Sequence, residues 1–148
     1  MPIEPQFALH TKVRKERSKG HIEAVVGRYD GCVWHGIVEE NRRALINFQR
    51  GRTYVRIVVP IPLNEQEERS MWRAMLEGVQ GNLEMVARRA ITFEQAFYAH
   101  IVLPDGTTMF ERTKHLLIEH KSDINDVGDG DEDESQEALT KGGKHAGS

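Results

Sequence analysis

The stretch "RRALINFQRGRTYVRIVVPIP", Arg42 to Pro62, decides the fold. It holds two runs in which apolar and polar residues alternate, and alternation with period two marks a strand with one buried face. In "RRALINFQ", Arg42–Gln49, Ala44, Ile46 and Phe48 share one face, opposite Arg43, Leu45, Asn47 and Gln49. In "RTYVRIVVPIP", Thr53, Val55, Ile57 and Val59 point inward while Arg52, Tyr54, Arg56 and Val58 point outward. Arg50-Gly51 between the runs is short enough for a hairpin, with Gly51 free to adopt positive φ. Pro60 and Pro62 end the second strand, because proline has no N–H for the ladder.

Upstream, "CVWHGIV", Cys32–Val38, is rich in strand formers. Glu39-Glu40-Asn41 reads as the turn that joins it to the next strand. Before it, "KGHIEAVVGRY", Lys19–Tyr29, places Ile22, Val25, Val26 and Tyr29 on one helical face. Ser18 is a suitable cap. Downstream, a long helix is expected over 65–88. Asn64 caps it, and Met71/Trp72, Met75/Leu76, Val79, Leu83 and Val86 form its stripe. "TFEQAFYAHIVL" predicts a second helix, with Thr92 and Gln95 as a capping box. After the Pro104-Asp105-Gly106 turn, "TTMFERTKHLLIEHK" predicts a third, ending near Lys121. The expected fold is α+β in the order α-β-β-β-α-α-α. A three-stranded antiparallel sheet carries helices packed on one face. Residues 19–121 form the single domain, between a basic arm at 1–18 and an acidic tail at 122–148, both expected to be disordered.

Composition fits that frame. A chain of 148 residues with 39% hydrophobic residues suits one domain. No apolar run approaches the ~18 residues that span a bilayer. The N-terminus lacks the apolar segment of a secretory signal. One cysteine, Cys32, excludes an internal disulfide and a Cys-rich zinc site, so a cytoplasmic, reducing setting is expected. Residues 123–148 hold eight acids and two lysines, a balance of −6. The whole chain carries −3, which leaves +3 on residues 1–122. Such asymmetry points to nucleic-acid or protein partners.

Four short motifs carry a resemblance. "VVPIP" ends a strand, Trp72-Arg73 opens the apolar part of a helix, and "FEQAF" (Phe93–Phe97) precedes "VLPDG" (Val102–Gly106). The pattern resembles a family of small uncharacterised proteins of tailed phages and prophages, over about residues 40–110. Relatives continue with Gly-Glu-Trp after the turn, where this chain has "MFER". The resemblance assigns no activity to any residue. It implies phage origin, and with it host takeover, genome handling or defence evasion.

Chemistry-bearing constellations are few. "DINDVGDGDEDE", Asp123–Glu134, matches a calcium loop at Asp123, Asn125, Gly128, Asp131 and Glu134. Val127 and Gly130 break the pattern, and the exit segment "SQEALTKGG" has almost no apolar face, so a plain acidic tail is expected. His115 and His120 fall on different helix faces, so no zinc site follows, and no metal or cofactor is expected. No phosphate-binding glycine loop, nucleophile elbow or paired-carboxylate site is present, so a non-enzymatic protein is expected. The outward sheet face offers Arg43, Arg52, Tyr54 and Arg56, with Trp34 as a second stacking platform. A basic surface with aromatic platforms suits single-stranded DNA or RNA. Lys12, Arg14, Lys15 and Arg17 of the arm add electrostatic reach. The alternative is an inhibitor or adaptor of a host protein, such as RNA polymerase or a defence nuclease, with the acidic tail mimicking nucleic-acid charge.

Overall fold

A computed structural model describes residues 2–117. Within residues 1–109 the order is α1 (Lys15–Arg28), β1 (Cys32–Glu40), β2 (Arg43–Arg50), β3 (Thr53–Pro60), α2 (Glu65–Ala87), a short α3 (Phe93–Ala96) and a 3-10 turn (Tyr98–His100). Three strands form one antiparallel sheet in the order β1-β2-β3, so the fold is α+β. A separate unit begins at Phe110, and its described residues, 110–117, are helical.

The core lies between the sheet's inner face and the helices. Ala44, Ile46 and Phe48 of β2 and Val55, Ile57 and Val59 of β3 are buried, as alternation requires. Against them pack Ile22, Val25 and Val26 of α1, and Trp72, Leu76, Val79 and Leu83 of α2. Phe48 meets Phe97 and Phe93 edge-on, with ring centroids 5.2 and 6.2 Å apart. Asn64 Oδ1 accepts from the N–H groups of Gln66 and Glu67 at the start of α2. Thr92 and Gln95 form the expected capping box.

Three boundaries differ from the sequence expectations. α1 starts at Lys15, and Ser18 lies inside it, fully buried, on the same row as Ile22. An ion pair between Lys15 and Glu68 of α2, 3.3 Å, ties that first turn to the fold. β1 runs on to Glu40, because Asn41 and Arg42 form the turn at φ 49° and 57°. Two consecutive positive φ values match the right-handed twist of the flanking strands. The β2–β3 turn is Gly51-Arg52 rather than Arg50-Gly51, so Arg52 stands at the turn and not on the strand.

The helix expected over "TFEQAFYAHIVL" breaks into α3 and the 3-10 turn, after which the chain extends. The open edge of β3 supplies the cause: Val102 N–H donates to the Tyr54 carbonyl at 2.8 Å, and Ile101 bridges Val55. Ile101 and Val102 are β-branched and Pro104 follows, so extension costs them little. The arm, too, is built in. Ser70 Oγ donates to the Ala8 carbonyl at 2.7 Å and Gln66 Nε2 to the Thr11 carbonyl at 2.9 Å. The tail and the calcium-like loop at 123–134 lie outside the described residues.

Candidate nucleic-acid interface

The sheet's outer face is a set of cross-strand rows fixed by register. Gln49 pairs with Val33 and Tyr54; Asn47 with Gly36 and Arg56; Leu45 with Val38 and Val58; Arg43 with Glu40 and Pro60. None of these side chains is buried among the described residues.

Register also decides which aromatic residues face outward. β1 pairs Trp34 with Phe48 but Gly36 with Asn47, so His35 is the extra residue of a β-bulge. Trp34 shares the face of buried Phe48 and packs against the core. The expectation of Trp34 as an outward platform is therefore corrected. His35 takes that place: its ring stacks on Tyr54 with centroids 5.0 Å apart and planes 17° from parallel. Gln49 reaches across from β2 to hydrogen-bond His35 Nε2. Gly36 holds the bulge at φ 133°, a conformation that other residues rarely adopt. A glycine inside a strand pattern is the signal that marks a bulge, and "HG" at 35–36 carries it.

Of the expected basic residues, Arg56 joins this face. Its Nε donates to Asn47 Oδ1 at 3.3 Å and its Nη1 to the Gly106 carbonyl at 3.1 Å, which orients the guanidinium across the sheet. Arg52 is exposed at the hairpin end nearest Tyr54. Arg43 sits at the opposite end, 4.0 Å from Glu40, a half-exposed pair that contributes little. Val38, Leu45 and Val58 form an apolar row between them, with Val38 49% exposed.

The arm residues lie elsewhere. Lys12, Arg14, Lys15 and Arg17 belong to the helical layer, because residues 8–11 are bonded to α2 and α1 begins at Lys15. Glu68, only 8% exposed, receives Lys15 and also the Trp72 indole N–H at 3.2 Å. The hydrogen bond and charge of Glu68 raise the Lys15 pKa. Lys19, 4.8 Å above the Trp72 ring, pairs with Glu39 of β1 and pulls the Glu39 carboxyl below its ordinary value. Lys15 and Lys19 are thus engaged in joining α1 to α2 and β1, while Lys12, Arg14 and Arg17 are exposed.

Cys32 is half-buried, and burial pushes its thiol above the ordinary value, which disfavours the thiolate. Among the described residues no three His, Cys, Asp or Glu side chains group as metal ligands. No described helix is long and apolar enough to cross a membrane. No protein family, curated protein or solved structure matches this chain.

Proposed function

We propose that the protein is a non-enzymatic phage accessory factor that binds single-stranded DNA or RNA across the outer sheet face in the host cytoplasm. The stacked His35–Tyr54 pair on that face carries the reading. Parallel rings at a strand surface accept an unstacked base from either side, and every base has a π-face. Arg56 and Arg52 flank the pair and serve the phosphates. The +3 balance of residues 1–122 favours approach of a polyanion. Because the arm cations lie on the helical layer, the sheet binds without them.

Fluorescence anisotropy with a labelled single strand tests this. Tyr54→Ala is expected to cost roughly 1–3 kcal/mol of binding. Joint substitution Arg52→Glu, Arg56→Glu should weaken binding strongly at low salt and reduce the salt dependence of what remains. Absence of binding at low salt sinks the proposal, as does binding that ignores the double substitution.

The apolar row Val38–Leu45–Val58 favours a second reading, a host protein as partner on the same face. Pull-down from host lysate separates the two. One stoichiometric protein, retained after nuclease treatment and lost in Leu45→Glu, supports the adaptor reading.

A further inference from the structure

A concave surface lies on the helical layer, away from the outer sheet face. Residues 7–13 form one wall, and α1 and α2 form the others, around an open groove of about 560 Å³. Such a volume is within the range that holds a small ligand. The wall is built at a cost. Ala8 sits at φ 56°, a left-handed region that non-glycine residues rarely adopt. Ser70 and Gln66 of α2 hold the wall there through the Ala8, Leu9 and Thr11 carbonyls.

The lining has a consistent chemistry. Phe7 and Val13 supply apolar surface, and Phe7 is 52% exposed. Arg17 and His21 stand one turn apart on α1, and Arg73 enters from α2. Among the described residues no carboxylate lines the groove. Arg73 pairs with Glu77 at 3.1 Å along its own helix through one Nη atom, and a guanidinium carries five N–H donors. Two guanidiniums beside an imidazole suit a doubly charged phosphomonoester, because the planar fork matches phosphate oxygens two at a time. A half-exposed phenylalanine beside that charge suits a flat aromatic ring.

We propose that this groove binds a nucleotide by its phosphomonoester, with the phosphate on Arg17 and Arg73 and the base against Phe7. The same chemistry is offered by a free mononucleotide and by the 5′-phosphate end of a strand. The site is separate from the sheet face, so it stands or falls independently of Tyr54.

Isothermal titration of the full chain with adenosine 5′-monophosphate, adenosine and inorganic phosphate tests it. The monophosphate should bind roughly tenfold or more tighter than either other probe, since each lacks one half of the recognised group. Arg17→Gln and Arg73→Gln should each weaken it by about tenfold, Phe7→Ala should weaken it too, and Tyr54→Ala should leave it unchanged. Arg17 is exposed, so its variant keeps the fold, and circular dichroism checks this. Equal binding of adenosine and its monophosphate, phosphate binding as tightly as the nucleotide, or full affinity in Arg17→Gln each overturns the site. Single strands with and without a 5′-phosphate then identify the source. Tighter binding of the phosphorylated strand assigns the strand end, and equal binding alongside retained monophosphate binding assigns the free nucleotide.

Discussion

Trp72→Phe isolates the joint between α1, α2 and β1. Trp72 is fully buried, donates its indole N–H to Glu68 at 3.2 Å, and lies 4.8 Å beneath the Lys19 ammonium. Phenylalanine keeps an aromatic ring but removes the donor. Glu68 then retains Lys15 as its partner while remaining 8% exposed. Loss of a hydrogen bond to a charged acceptor costs about 1.5–3 kcal/mol. The space left by the smaller ring adds about 1 kcal/mol, and the weaker cation–π contact adds some tenths. A total of about 3 kcal/mol is expected. With a urea slope near 1.5 kcal/mol/M, the midpoint falls by about 2 M and the slope stays constant. The diagnostic measurement is a cycle with Glu68→Gln. If the indole stabilises the carboxylate, Glu68→Gln costs about 1 kcal/mol less in the Trp72→Phe background than in the native chain. Additivity within about 0.5 kcal/mol, or a Trp72→Phe cost below about 1 kcal/mol, would show that the joint is packing alone.

Three further outcomes follow from named residues. Gly36→Val should destabilise by about 1–2 kcal/mol, because φ 133° is unfavourable for a branched residue, and should weaken oligonucleotide binding by displacing His35; urea melts and anisotropy read the two effects. Gly78→Ala and Gly81→Ala should each stabilise by about 1 kcal/mol, since both glycines are exposed within α2 and an added methyl meets nothing within 4 Å. Burial lowers the His100 pKa below 6.5, so the fold favours the neutral ring. Its stabilising contribution is present above the unfolded pKa and is lost as pH falls through the lowered folded value. Stability measured from about pH 7 to about pH 5 should therefore decline less in His100→Gln than in the native chain.

Local chemistry made much of this protein legible from its sequence. Strand alternation has period two, so Ala44, Ile46, Phe48, Val55, Ile57 and Val59 declare the buried face without knowledge of any neighbour. Asn64, Thr92 and Gln95 cap their helices through bonds that span three residues, which is equally local. The stripe from Trp72 to Leu83 follows from a 3.6-residue period.

Tertiary structure decided the rest, wherever a residue's role depends on a partner distant in sequence. One extra residue at His35 turns Trp34 into the core and sends His35 out beside Tyr54, and only the register against β2 reveals it. The open edge of β3 extends Ile101 and Val102 out of an expected helix, because an unpaired strand carbonyl outbids weak helical propensity. Lys15 and Lys19, which look like free cations in the sequence, are held by Glu68 and Glu39, while Arg17 reaches a groove whose wall is the arm itself. Composition places charge on a chain, but packing decides which of those charges face solvent and which face each other.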